Sequence, residues 1–171
     1  MDALFAWIEA SSLSVWIREA DTVFAFQGIL VLHTLGMGFL AGGNAAIDLR
    51  ILGAARRIPL ASMERFFPVL WTAFAASLLS GVLLLIAYPT KALTNPLFYV
   101  KLVAVALGIW LMPIIRDGVL RDTPAAQESL PTRAKRLAAI SLLLWVVVIG
   151  AGRLLAYTYT RLLVHSAAAG F

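Results

Sequence analysis

Three side chains sit where chemistry is costly. His33, Lys101 and Arg153 are the ionisable residues placed inside long apolar stretches of this 171-residue chain. Ionisable groups at membrane depth are rare, and where they occur they mark a functional path or a bound group. A neutral imidazole such as His33 can ligate a metal or a haem iron, form a buried hydrogen bond, or pass a proton. Arg153 keeps its proton in any protein environment, so it either reaches rim groups such as Glu19, Asp21 or backbone carbonyls, or awaits an anion: a haem propionate, a quinone or other oxyanion headgroup, or a lipid phosphate. Lys101 can snorkel to the surface along its own stem or turn inward as a second cationic donor.

Their depths are compatible with one cavity. His33 lies twelve residues past Asp21, roughly 18 Å along a helix axis. Lys101 is five residues into its stretch, roughly 7 Å. Arg153 is seven to ten residues from the end of the last stretch, about 10–15 Å. On the helix bearing His33, the 3.6-residue period brings Gly36, Met37, Leu40 and Asn44 to the same side. The candidate cofactor site is therefore His33, Gly36, Met37, Lys101 and Arg153, with Tyr157 one turn beyond Arg153 as a second donor, and His33 is the candidate metal ligand. His165 is the second histidine, but it falls on the order of 15 Å beyond His33. Met37 cannot reach the opposite face of a ring ligated by His33. A haem here would be five-coordinate or completed by another chain.

Four stretches, at 22–47, 66–88, 96–115 and 137–162, must position these groups. Each is long enough for a span of about 20 residues, and none contains an Asp or Glu. With 61% hydrophobic residues, the chain is an all-α polytopic membrane four-helix bundle forming one domain over 1–171. Strand-like alternation is absent, which excludes a transmembrane barrel. Residues 3–19 read as an N-terminal interfacial helix with Trp7 and Trp16 at headgroup level and a break or N-cap at Ser11-Ser12. Gly38 and Gly42 form a small-xxx-small pair on another face of the first span, suited to close helix contact within or between chains. Asn44, Asp48 and Arg50 stand at the far end of that span, in an ion pair or helix-end contact, with a proton-entry site as the lesser alternative. Residues 116–134, with Pro124 and Pro131, read as a solvated connector. Tyr157 and Tyr159 close the last span as aromatic anchors. The tryptophans at 71, 110 and 145 read as packing or interface anchors.

The loops set orientation. Arg50, Arg56, Arg57 and Arg65 follow the first span, and Arg116, Arg121, Arg133, Lys135 and Arg136 separate the last two. Short basic loops stay on the cytoplasmic side, so both termini face outward, toward the periplasm if the membrane is a bacterial inner membrane. The net charge of +5 belongs to loops beside spans and suits anionic lipid, not nucleic acid. The chain has no cysteine, which excludes disulfides, thiolate sites and cysteine catalysis.

Several patterns resemble an uncharacterised bacterial family of small four-span membrane proteins: Trp16-Ile17-Arg18-Glu19, Leu32-His33-Thr34-Leu35-Gly36-Met37, Asp48-Leu49-Arg50-Ile51-Leu52-Gly53, Asn95-Pro96 with Phe98 and Lys101, and Gly152-Arg153-Leu154 with Tyr157. More distantly, the Leu-His pair in one span and the lysine near the start of another are similar to the copper-resistance D membrane proteins and to the membrane, haem-binding protoporphyrinogen oxidases. That resemblance implies a b-type haem or a metal on His33, with Lys101 matching the lysine. The absence of Cys and the small number of Met make a poor copper site.

The leading expectation is a small membrane protein that binds a b-type haem, or else a quinone, in the outer half of the bundle for electron transfer. The alternative is a non-redox accessory subunit of a larger membrane complex, or a small anion or solute transporter. A homodimer is compatible with either. No nucleophile–base pair, paired carboxylates or phosphate loop is present, so enzymatic chemistry would belong to a cofactor.

Overall fold

A computed structural model describes residues 2–121 and 130–168. Two short helices, α1 (Asp2–Glu9) and α2 (Ser12–Glu19), precede α3 (Phe26–Leu52). A short α4 (Leu60–Met63) and a 3₁₀ turn lead into α5 (Phe67–Ala87). Then come α6 (Pro89–Leu93), α7 (Pro96–Ile115) with a wide π-type extension to Arg121, and α8 (Thr132–Ala168). No strand occurs among the described residues. Four segments are long and apolar enough to cross a bilayer: Phe26–Leu52, Leu60–Ala87, Pro96–Arg121 and Thr132–Leu155. The chain is an all-α, multi-pass membrane bundle.

Its surface follows the reverse of the soluble pattern. Large apolar side chains such as Phe39, Leu79, Val103, Trp110 and Leu143 point outward, whereas Asn44, Asp48, Ser77, Ser80 and Ser141 are buried. Lipid is the solvent that favours this arrangement, because apolar exposure costs nothing there and polar groups must find partners inside. The core runs along one seam through Leu40, Ile47, Ile51, Phe67, Leu70, Met112, Ala138 and Trp145.

Within the bundle α3 is central. It packs on α5 and α8, and α7 packs on α8, whereas α5 and α7 flank the remaining side without close packing on each other. The two are joined at one end by α6 and at the other by Glu64, whose Oε1 accepts from Arg116 (3.1 Å) and Arg121 (2.6 Å). Close approach of α3 to α5 depends on Gly36: a Cβ there would lie 2.6 Å from Ser77 Oγ and 3.0 Å from the Ala73 carbonyl. Gly43 is similarly filled by Leu70. Gly38 and Gly42, the pair singled out from spacing, have nothing within 4 Å and face away from the bundle.

The ends are set by local chemistry. The interfacial segment is two helices because Ser11 caps the second, accepting from the Ser14 amide at 3.3 Å. It is moored by Arg18, which donates to the carbonyls of Glu9 (2.8 Å) and Ala87 (3.3 Å), and by Glu9, which accepts from the Thr90 hydroxyl at 2.8 Å. Ile17 is fully buried against Ile29 and Ala87, while Trp7 and Trp16 stay exposed. At its other end α3 closes on Gly53 in the left-handed conformation (φ 113°), with the Ala54 amide bonded back to the Leu49 carbonyl at 2.9 Å. Only glycine adopts that conformation without strain.

Boundaries depart from expectation in two places. The first span runs on to Leu52, so Asp48 lies inside it and the spans do contain an acid. The connector is shorter than 116–134. The chain stays helical to Arg121, and α8 starts at Thr132. Pro124 lies outside the described residues.

Candidate functional site

α3, α5 and α7 each contribute to one polar cluster near the end of the bundle that carries the N-terminal helices. His33 projects from α3 toward α5, where Nδ1 lies 3.0 Å from the Ser77 carbonyl and 3.2 Å from Ser80 Oγ. A carbonyl only accepts, so Nδ1 carries the proton and Nε2 presents a lone pair. Lys101 Nζ is 3.3 Å from Nε2, and an ammonium only donates. The two contacts fix one tautomer: His33 donates to Ser77 and accepts from Lys101.

Small residues make the room. A Cβ on Gly81 would stand 3.1 Å from His33 Cε1, and one on Gly152 of α8 would stand 3.9 Å from Lys101 Cε. Gly81 thus admits the ring, whereas a methyl at Gly152 would meet the lysine stem at ordinary van der Waals distance. Ser80 is held in turn by donating to the Ala76 carbonyl at 2.6 Å. His33 and Lys101 are each only half-buried.

The expected cluster is therefore only partly assembled. Lys101 turns inward and meets His33. Met37 packs on the core seam, and Gly36 is consumed by the α3–α5 contact. Arg153 and Tyr157 are exposed, because the position of α8 that faces Lys101 is Gly152 and the next residue turns about 100° away. No acidic side chain pairs with Arg153 among the described residues. The side chains of Tyr159 and His165 lie outside the described residues.

Ser77, Ser80 and Gly81 were missed in the sequence. Their spacing of three and four places them on one face of α5, and they are a polar, small patch in an otherwise apolar span. That pattern was the signal available.

At the opposite end, Arg50 makes a helix-end contact without Asp48. Its Nε donates to the Ile58 carbonyl at 2.6 Å and its Nη2 to the Arg56 carbonyl at 3.1 Å. Asp48 is instead buried at 1% exposure. Of the three tryptophans, Trp145 is buried against Gly108, whereas Trp71 and Trp110 are exposed to the lipid side.

Comparison with known proteins gives one match. Residues 4–158 align with a family of unknown function, DUF6644. The chain belongs to that family. The match covers the interfacial helices, all four spans and the His33–Lys101 cluster of this DUF6644 member, which agrees with the resemblance to an uncharacterised family. No curated protein and no solved structure matches, and the similarity to copper-resistance D proteins and protoporphyrinogen oxidases gains no support. Among the described residues no group of three or more His, Cys, Asp or Glu converges as a metal site.

Proposed function

We propose that this DUF6644 member is a small membrane protein of the electron-transfer type that binds a quinone headgroup at the His33–Lys101 pair. The observation that carries the reading is the pair itself: a cationic donor and an imidazole in contact at 3.3 Å, each half-buried. A ligand dissolved in the bilayer reaches the exposed half of the pair without crossing the bundle. The Lys101 ammonium has three N–H groups, of which one is committed to Nε2. The others can donate to a quinone carbonyl oxygen. A cation beside that oxygen favours the more electron-rich form of the ligand. His33 holds the lysine in place, and the Ser77 carbonyl and Ser80 hold the ring. A bound quinone supplies electron and proton exchange within the bilayer.

A b-type haem on His33 fits this arrangement less well. Nδ1 is committed to Ser77 and Nε2 to Lys101, so an iron would have to displace the lysine. Lys101 and Arg153 would then remain to meet acidic substituents, but Arg153 is on the outer face. The non-redox alternative, an accessory subunit or a small transporter, predicts neither ligand.

The test is to purify the protein in mild detergent, record oxidised and dithionite-reduced visible spectra, and extract bound lipids for quinone analysis. Quinone that co-purifies with wild type and is lost from Lys101→Met and His33→Ala supports the proposal. A Soret band that weakens in His33→Ala replaces quinone with haem. A colourless protein with no quinone, from membranes rich in both, leaves the accessory or transport reading.

A further inference from the structure

One buried polar cluster takes no part in the His33–Lys101 site. Asp48 on α3 is 1% exposed, and its Oδ2 has no hydrogen-bond partner. α8 packs against α3, and on it Ser141 is fully buried with its hydroxyl oxygen likewise without a hydrogen-bond partner. One turn along each helix, Asn44 and Trp145 continue the seam, both buried. Asn44 is already settled, with Nδ2 donating to the Leu40 carbonyl at 2.8 Å. Around them the buried neighbours along the seam are apolar, among them Ile47, Ile51, Met63, Phe67, Met112 and Ala138.

No cation of the described residues neutralises Asp48. On its own helix, Arg50 is spent on the carbonyls of Ile58 and Arg56. Arg116 and Arg121 are held by Glu64, and Arg121 also by Asp117. Arg56, Arg57 and Arg65 are exposed, as are Arg133, Lys135 and Arg136 at the start of α8. α5 carries no charge, and Lys101 of α7 sits at the far end against His33. An ionised carboxylate in such a place would be an unpaired charge in an apolar medium, which proteins do not maintain. A metal cation is a poor remedy, because hard cations gather about six oxygen ligands and the seam presents the Asp48 and Ser141 oxygens with little else.

We propose that Asp48 is a proton-binding site: a carboxylic acid whose O–H donates across the α3–α8 seam to Ser141 Oγ. The Ser141 O–H can serve an ionised carboxylate just as well, so it is the lack of a cation, not the hydrogen bond, that calls for the proton, and protonation leaves no charge in the core. The site is separate from His33, fifteen residues away on the same helix, about 22 Å along the axis. It lies at the arginine-rich end, within two turns of the Gly53 cap, so exchange with water needs only local opening of that end. This inference does not depend on the quinone reading.

Infrared spectroscopy of the full chain in lipid nanodiscs, with isotope-labelled aspartate, tests it. At neutral pH the wild type should show a neutral carboxylic-acid C=O band assigned to aspartate, absent from Asp48→Asn. The amide mimics the protonated acid in shape and charge, so that variant should keep its helical circular dichroism. Ser141→Ala, which keeps the acid but removes its acceptor, should shift the band without abolishing it. This second variant also decides the matter should Asp48→Asn fail to fold. Because the folded chain binds this proton and the unfolded chain at neutral pH does not, thermal stability of wild type should fall as pH rises, and that of Asp48→Asn should not. The proposal is overturned if no neutral aspartate band exists at neutral pH, if the band is unmoved by Ser141→Ala and survives Asp48→Asn, or if adding sodium at fixed pH removes it.

Discussion

Replacing Gly36 and Gly38 by alanine, one at a time, asks whether the α3–α5 contact is where the structure puts it. The two glycines are half a turn apart on one helix, so the intrinsic gain from removing a helix glycine, up to about 1 kcal/mol, is common to both and cancels in the comparison. What remains is steric. At Gly38 the new methyl meets nothing within 4 Å. At Gly36 it meets Ser77 Oγ at 2.6 Å, the Ala73 carbonyl oxygen at 3.0 Å and the Ser77 amide at 3.1 Å. The serine hydroxyl can rotate away, but the two backbone atoms cannot, so α3 and α5 must part. Overpacking of this kind costs about 1–3 kcal/mol, and the backbone contacts place Gly36→Ala in the upper part of that range. For a chain of this size that corresponds to a separation between the variants of about 2–4 °C in Tm for each kcal/mol. Thermal unfolding of both proteins in the same detergent, followed by helical circular dichroism, measures it. Equal melting of the two variants, or a lower Tm for Gly38→Ala, would refute the assignment of Gly36 to the helix contact and Gly38 to the outer face.

Three more outcomes follow from the same geometry. Gly81→Ala puts a methyl 3.1 Å from His33 Cε1, so it should displace the ring and lower quinone retention while leaving stability within about 1 kcal/mol of wild type; unchanged retention would separate the ring from the ligand site. Trp145→Ala, at a residue 1% exposed, should cost about 3–5 kcal/mol, whereas Trp110→Ala, at a residue 64% exposed, should leave detergent-solubilised stability nearly unchanged; parallel melting curves check both. Arg50→Ala removes two hydrogen bonds to loop carbonyls and should make the segment after Gly53 the first site of limited proteolysis, visible by mass spectrometry, with cleavage elsewhere counting against the arginine as the loop's clamp.

The architecture was legible because its cause is coarse: apolar runs of membrane length admit one class of solution, and Ser11 and Gly53 announce their caps by residue type. The site was half legible. Depth arithmetic brought Lys101 and His33 to comparable levels, and they touch. The same arithmetic brought Arg153 there too, but depth does not fix the angle around a helix. A step of one residue, from Gly152 to Arg153, turns the guanidinium from the bundle to its outside. The placement of Asp48 outside the span failed for a related reason. The apolar run seemed to end at Ile47, but the helix continues to its Gly53 cap, and the carboxyl lands on the buried α3–α8 face with Asn44. Spacing put Gly36 on the His33 face and Gly38 with Gly42 on another, but which of these faces the close helix contact uses depends on the angle at which α5 meets the helix, and the face used is that of Gly36.

The distribution of polar groups bears on what the bundle can do. His33 with Lys101 forms one station, and Asp48 with Ser141 another, about 22 Å apart along α3. Between them the interior face of α3 is Gly36, closed by Ser77, then Leu40 and Ala41, which are 0% and 3% exposed. The polar side chain between them on that face is Asn44, and its amide is already donated to the Leu40 carbonyl. A solute path needs a continuous polar or hydrated lining, so a single copy of this chain is poorly built to conduct an ion from one station to the other. The packing is compatible with binding at each station: the proposed quinone at His33–Lys101 and the proposed proton at Asp48. That favours a carrier of a ligand over a pore, and it predicts that Leu40→Ala, which opens the seam, changes stability before it changes quinone retention.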